Sequence, residues 1–193
     1  MKVLIIGSGG REHAIAYSLS KSKRVSEIHA IPGNPGIAQI GTCHAGSVED
    51  LEGILHFVEE NNIDFTVVGP EVPLCLGLTD LLEDNGHKVF GPRKYAATFE
   101  GSKAFSKEFM VRHNIPTAKY KEVNSFNEAC EAIEEFSYPL VVKADGLAAG
   151  KGVVICENEE VAIKTLSEIM NDKMLKEAGN KVVLEEFLTG YES

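Results

Sequence analysis

Very little in the chain marks a secreted, membrane-spanning or metal-stapled protein. Its four cysteines, Cys43, Cys75, Cys130 and Cys156, stand far apart with no Cys-x-x-Cys pair. That spacing argues against a zinc knuckle and a disulfide framework, and it fits free thiols in a reducing cytoplasm. No apolar segment approaches the about 20 residues of a membrane helix. The first apolar run, residues 3–6, is too short for a signal core and runs straight into glycines. A cytoplasmic protein with no membrane partner is therefore expected. Basic residues are scarce, 19 against 29 acidic, for a formal charge of −10. Bulk attraction to nucleic acid or anionic lipid is excluded on that balance, while local basic pockets for phosphate stay open. The histidines lack metal-ligand spacing and no Ser or Cys sits in a nucleophile elbow, so neither a metal site nor a covalent triad is expected. There is no internal repeat or low-complexity tract.

What is present is the composition of one or two globular domains: 193 residues, 44% apolar and 25% charged. The most informative stretch runs from Tyr138 to Cys156. It predicts a buried strand over 140–143, a glycine-rich turn over 145–152 carrying Lys151, and a second strand over 153–156. Glycines allow backbone N–H groups to approach oxygen atoms closely, and the ammonium offsets negative charge, so the hairpin is suited to closing over phosphates. An ordinary hairpin with a flexible tip is the competing reading. A P-loop is excluded, because Gly146 and Gly150 enclose only three residues, Lys151 is followed by Gly152, and a strand follows instead of a helix.

Along the chain, residues 2–6 read as a strand entering Gly7-Ser8-Gly9-Gly10, followed by a helix over 11–20. This is the first half of a β-α-β unit, and its helix N-terminus is an anion site. A dinucleotide fingerprint fails, since Glu12 stands where Gly or Ala is needed and the next strand, 27–31, ends in Pro32-Gly33 with no acid for a ribose. The turn holds a lone phosphate or is simply tight. Pro32-Gly33-Asn34-Pro35-Gly36 is a shaped loop at the carboxyl end of that strand, where open α/β sheets place ligands. Ser47-Val48-Glu49-Asp50 resembles a capping box opening a helix to Asn61 with Leu51, Ile54, Leu55 and Val58 inward. A strand over 64–68 enters Gly69-Pro70-Glu71-Val72-Pro73, a helix runs to about Asn85, and 88–90 is a further strand. Four strands with alternating helices predict a doubly wound parallel sheet, with three glycine-containing loops along one edge.

Beyond Pro92 the pattern changes. Helices are expected over 93–100 and 103–113, with Ser102 as a cap, then a strand over 117–123 and a capping box at 125–128 opening a helix to about Ser137. The hairpin, a helix over 158–170 and a strand over 181–186 complete a β-α-β-β-α-β unit, a small α+β sandwich whose glycine loop joins its central strands. A boundary is placed near 92–101. Lys143 ends an apolar strand and is costly to bury unless it meets an anion, the alternative being a side chain that snorkels to solvent. Glu185-Glu186-Phe187-Leu188 sets two carboxylates beside apolar residues, with an exposed acidic edge as the plainer reading. Glu192 could accept from sugar hydroxyls, and His13 either touches a ligand or lies on a helix surface.

Seven stretches in order along the chain resemble ATP-grasp enzymes and, more narrowly, the phosphoribosylamine–glycine ligase (glycinamide ribonucleotide synthetase) family. They are Val3-Leu-Ile-Ile-Gly-Ser-Gly-Gly-Arg-Glu-His13, Pro32-Gly-Asn-Pro-Gly36, Gly69-Pro-Glu-Val-Pro-Leu74, Glu100-Gly-Ser-Lys103, Ile115-Pro-Thr117, Lys143-Ala-Asp-Gly-Leu-Ala-Ala-Gly-Lys-Gly152 and Glu185-Glu-Phe-Leu188. The resemblance implies ATP-dependent ligation of glycine to 5-phosphoribosylamine through an acyl phosphate. It implies a Rossmann-like substrate domain over 1–100, the start of a central ATP-grasp domain over 101–119, and a lid over 120–193. By the same resemblance Lys103 and Lys143 contact nucleotide phosphates, and Asp145, Gly146, Gly150, Lys151 and Gly152 close over them, with Lys151 as the catalytic cation. Glu185 and the backbone of Glu186, Phe187 and Leu188 take the adenine, and Glu192 the ribose. Gly9, Gly10, Arg11, Glu12, Gly33, Asn34, Gly69, Pro70 and Glu71 hold the phosphorylated aminosugar. Family members are about twice as long, so the magnesium ligands are expected beyond Ser193 and the chain alone is expected to lack turnover. Rival readings are another ATP-grasp carboxylate–amine ligase or carboxylase, a non-catalytic nucleotide-binding module, and a dinucleotide-dependent oxidoreductase.

Overall fold

The computed structural model describes residues 1–146, 152–171 and 179–190. Contacts divide the chain into two compact units, Met1–Ala97 and Thr98–Ser193.

The first unit is built on β1 (Lys2–Gly7), whose apolar run is buried on both faces. Side chains alternate across a strand, so Val3 and Ile5 enter one core while Leu4 and Ile6 enter another. Helix α1 (Gly10–Ser20) covers the first face through Ala16. After β2 (Glu27–Pro32) and the two-residue β3 (Thr42–Cys43), helix α2 (Leu51–Glu60) covers the second face through Ile54, Leu55 and Val58. Strand β4 (Phe65–Val68), helices α3 (Glu71–Leu76) and α4 (Leu78–Asp84), and β5 (Val89–Phe90) follow. The five strands are parallel in the order β3-β2-β1-β4-β5, with Ile6 aligned to Ile31 on one side and Val68 on the other. Chain order reverses about β1, which sets a topological switch point at the carboxyl ends of β1 and β4.

Three expectations for this unit change. A fifth strand, β3, was not anticipated, because two residues carry no periodic signal. The single helix to Asn85 is two helices broken at Gly77, whose φ of +104° lies in the left-handed region that ends a helix. The cap of α2 is Asp50, which accepts from Gly53 N–H at 3.0 Å, and Ser47 instead bonds Glu49 N–H.

The chain passes into the second unit within α5 (Lys94–Gly101). Helix α6 (Lys103–Arg112) is capped by Ser102, as expected from its sequence. Strand β6 (Tyr120–Val123), helix α7 (Phe126–Ala132), β7 (Leu140–Ala144), β8 (Val153–Cys156), α8 (Glu159–Met170) and β9 (Val182–Glu186) form an antiparallel sheet in the order β6-β9-β7-β8. Leu140, Val142, Ala144, Val182 and Leu184 face α7 and α8 and share their core with Ala129, Leu166 and Ile169. The strand expected over 117–123 begins only at Tyr120, because the N–H of Lys119 donates to the Glu186 side chain at 2.7 Å instead of continuing the ladder. The glycine-rich connection joins central β7 to edge strand β8, not two central strands as expected. Among the described residues no helix is long and apolar enough to cross a membrane.

Candidate functional site

In the first unit the three glycine-containing loops meet at the carboxyl edge of the sheet. Gly33 N–H donates to Gly7 O at 3.2 Å, and Gly69 N–H donates to Ile6 O at 3.1 Å. Asn34 knits two of the loops together: its amide donates to Ser8 O (2.9 Å) and Gly9 O (3.3 Å), while its Oδ1 accepts from Gly36 and Ile37 N–H, both at 2.9 Å. Glu12 is buried and reaches back to accept from Gly9 N–H at 2.6 Å. Its carboxylate thus takes the N–H that the opening of a helix offers to an anion. Dinucleotide binding at this turn meets a carboxylate already in place.

A Cβ on Gly69 would stand 2.6 Å from Glu12 Cδ, so the glycine is what lets the β4 loop close on that carboxylate. Arg11 bridges Glu12 Oε1 (2.9 Å) and Glu71 Oε1 (3.1 Å), joining the loops after β1 and β4. Hydrogen bonds to Glu12 and then Glu71 raise the Arg11 guanidinium further above its ordinary range. The Glu71 carboxyl is held low, first by its own backbone N–H at the start of α3 and then by Arg11. The His13 ring packs against the Gly36 backbone. Gly9, Gly10, Arg11, Glu12, Gly33, Asn34, Gly69, Pro70 and Glu71 therefore lie on adjoining loops of one sheet edge. Glu12 and Asn34 serve the loops' own bonding, whereas Arg11 and Glu71 are partly exposed.

In the second unit, strand alternation sends Val141, Lys143, Val183 and Glu185 to the sheet face opposite α7 and α8. Lys143 pairs with Val183 and Glu185 with Val141, so the lysine and the glutamate are diagonal neighbours. Their side chains meet, Lys143 Nζ lying 3.0 Å from Glu185 Oε2. Lys143 thus has its anion within the fold and does not simply snorkel to water. A second ammonium, Lys107 Nζ of α6, lies 2.8 Å from the same oxygen and also donates to Thr117 Oγ1 at 2.8 Å. Beside this cluster Val153 and Ile155 of β8 are 47% and 49% exposed, on the same face as Lys143 and Val141. A cationic cluster next to an uncovered apolar strip can take an anion attached to a flat apolar group.

The root of the glycine-rich loop is fixed to α6. Asp145 accepts from Lys103 N–H (2.6 Å), Ala104 N–H (3.1 Å) and Ser102 O–H (3.0 Å), an arrangement that caps the helix with a negative charge. Lys103 Nζ donates to Gly146 O at 3.0 Å, and Ala144 N–H donates to Gly152 O at 2.7 Å across the loop's mouth. Glu186 bonds the chain at Lys119, accepting from its N–H at 2.7 Å and donating to its carbonyl at 3.0 Å. Phe187 and Leu188 are exposed. Gly150, Lys151 and Glu192 lie outside the described residues. Lys107 was missed in the sequence, where a lysine on a polar helix looks solvated; in the structure it lies with Ala104 on the buried side of α6.

The model of the phosphoribosylglycinamide synthetase N domain matches residues 1–100, and that of the phosphoribosylglycinamide synthetase ATP-grasp (A) domain matches residues 101–193. The chain belongs to the phosphoribosylglycinamide synthetase family. The phosphoribosylamine–glycine ligase of Clostridium acetobutylicum is 47% identical to it over 193 residues, all of this chain and 46% of that protein. The crystal structure of phosphoribosylamine–glycine ligase from Thermotoga maritima superposes with a TM-score of 0.82 at 37% identity, covering 99% of this chain and 45% of that one. The biotin carboxylase domain of the Hydrogenobacter thermophilus 2-oxoglutarate carboxylase shares the fold, with a TM-score of 0.79 at 22% identity over 97% of this chain and 44% of that one. This member of the phosphoribosylglycinamide synthetase family thus spans about half the length of the curated relatives it matches.

Proposed function

We propose that the chain carries the amino-terminal part of an ATP-dependent carbon–nitrogen ligase that joins glycine to 5-phosphoribosylamine in de novo purine synthesis. The γ-phosphoryl group of ATP passes to the glycine carboxylate, leaving ADP and glycyl phosphate. The amine of phosphoribosylamine then attacks the acyl carbon, the carbon–oxygen bond to phosphate breaks, and glycinamide ribonucleotide and phosphate are released. The names of the two matching family models and of the relatives support this reading. The observation that carries it is the Lys107–Glu185–Lys143 cluster beside exposed Val153 and Ile155.

On this reading Lys143 and Lys103 meet the nucleotide phosphates, and the loop bordered by Asp145, Gly146 and Gly152 closes over them with Gly150 and Lys151. Preorganised cations stabilise charge on a transferring phosphoryl group, and a closed loop keeps water from the acyl phosphate. The base lies on the Val153–Ile155 strip next to the backbone of Glu186, Phe187 and Leu188, and Glu192 takes the ribose. The Glu185 carboxylate, engaged by two lysines, supports the base site more than it contacts the base. In the first unit Gly9, Gly10, Arg11, Gly33, Gly69, Pro70 and Glu71 contact the aminosugar, while Glu12 and Asn34 shape their loops. Residues 1–100 act as the substrate domain, 101–119 open the central domain, and 120–193 form the lid.

Among the described residues no group of three or more His, Cys, Asp or Glu is arranged to hold a metal ion. The chain spans 46% of its Clostridium acetobutylicum relative, and on this reading the magnesium ligands belong to the part of such ligases that it does not span, so no turnover is expected of the 193-residue chain alone. The cytoplasm is the proposed compartment, in keeping with four cysteines that are not joined in disulfides. The test is equilibrium binding of ATP, GTP and NAD to the product of the full reading frame. Preference for ATP, lost in K143A, is expected. Preference for NAD, or ATP binding indifferent to K143A, would contradict the assignment.

A further inference from the structure

The two lysines at Glu185 are not equivalent. Both ammonium groups approach a single oxygen, Glu185 Oε2, at 2.8 Å from Lys107 and 3.0 Å from Lys143. Lys107 has a second acceptor in Thr117 Oγ1 at 2.8 Å, and its ammonium lies 5.8 Å from the centre of the Tyr120 ring. Its side chain is 11% exposed, against 27% for Lys143 and 6% for Glu185. Of the two cations, Lys107 is the deeper and better anchored, and Lys143 is the one with access to solvent.

A carboxylate this buried cannot be left without a cation at small cost. If Lys143 were its sole partner, every phosphate that drew Lys143 away would strand Glu185. With Lys107 in place the cluster holds two positive charges and one negative, so the surplus charge is already available to an arriving anion. We infer that Lys107 is a positioning residue, the resident counter-ion of Glu185 that leaves Lys143 free to engage a nucleotide phosphate. This rests on the nucleotide site proposed above and assigns within it a residue that touches no ligand.

The charge count gives a test that a merely structural lysine would not meet. Wild type carries a surplus of one positive charge, K107M carries none, and K107M/E185Q regains one. ATP affinity is measured by calorimetry on the product of the full reading frame, beside K107M, K107R, E185Q and K107M/E185Q. K107M should bind about tenfold more weakly, the loss of one charge-assisted contact to phosphate. K107R should bind like wild type, and K107M/E185Q should return to within about threefold of it, well short of additivity. Equal weakening in K107M and the double variant would overturn the inference, as would unchanged affinity in K107M. Should K107M fail to fold, K107Q takes its place with the same charge count: about tenfold weaker ATP binding is expected, and unchanged affinity overturns the proposal. Wild type that binds no ATP would sink the nucleotide reading itself and this inference with it, whereas wild type that binds beside an unaffected K107M sinks this one alone.

Discussion

Asp145 offers the sharpest test of how the glycine-rich loop is rooted. Its carboxylate accepts from Ser102 Oγ at 3.0 Å, Lys103 N at 2.6 Å and Ala104 N at 3.1 Å, so it sits on the first turn of α6. Replacing Asp145 with Ala removes a cap, about 0.5–2 kcal/mol. It also removes a favourable charge at a helix N-terminus, about 0.3–1 kcal/mol at a partly exposed site. D145A should therefore lose about 1–3 kcal/mol. D145N keeps one acceptor oxygen but not the charge, and should lose about half as much. Urea unfolding of the 193-residue chain followed by far-ultraviolet circular dichroism reads both values. Because α6 carries Lys103 and Lys107, ATP affinity in the longer product should fall in the same order, wild type above D145N above D145A. A loss below about 0.5 kcal/mol in D145A, the range of an inert surface substitution, would refute the capping role. Loss of ATP affinity without loss of stability would mean that Asp145 acts on the ligand instead.

Three other outcomes follow from the same contacts. G69A should lose about 1–3 kcal/mol by overpacking, because its Cβ would meet buried Glu12, and the loss should shrink in an E12A background; additive losses in thermal unfolding would refute the contact. His44 lies 3.0 Å from His29, and burial followed by that neighbour pushes its imidazole below the usual 6.5. The unfolded chain therefore takes up the proton first, so this stability is complete above pH 6.5 and is lost as the pH falls through the lower folded value. H44F should flatten the stability profile on the acid side of neutrality, and an unchanged slope would contradict the assignment. Cys156 is buried, and burial pushes its thiol up, so iodoacetamide should modify it last of the four cysteines in the native chain. Early labelling of Cys156 in a peptide map would mean that its core is open.

Much of the fold was legible because it rests on local patterns. The run from Val3 to Ile6 is apolar at every position, the mark of a strand buried on both faces, and the glycine loops fall at strand ends as the switch-point rule requires. The second unit's order of strands and helices was legible for the same reason. What escaped was non-local. Strand β3 exists only because β2 offers it an edge, and which strand of the hairpin lies at the rim depends on β9 inserting between β6 and β7. At the candidate sites, Lys143 stood out as a charge ending an apolar strand. Lys107 did not, since a lysine on a polar helix looks solvated until its partner Glu185, far along the chain, is brought against it. Glu12 and Asn34 carried ligand-like chemistry, and the structure shows their polar atoms bonded to the loops that present them.

On the proposed function, this chain supplies the nucleotide lid and aminosugar domain of a glycine ligase. Glycine-dependent ADP release, in the presence of magnesium and freshly generated phosphoribosylamine, tests it most directly when the 193-residue chain is run beside the product of the full reading frame. ADP release that requires both glycine and phosphoribosylamine, seen only in the longer product, is the predicted result. Folded longer product that releases no ADP would contradict the ligase assignment, and turnover by the 193-residue chain would contradict the proposal that the magnesium ligands belong to the part of its relatives that it does not span.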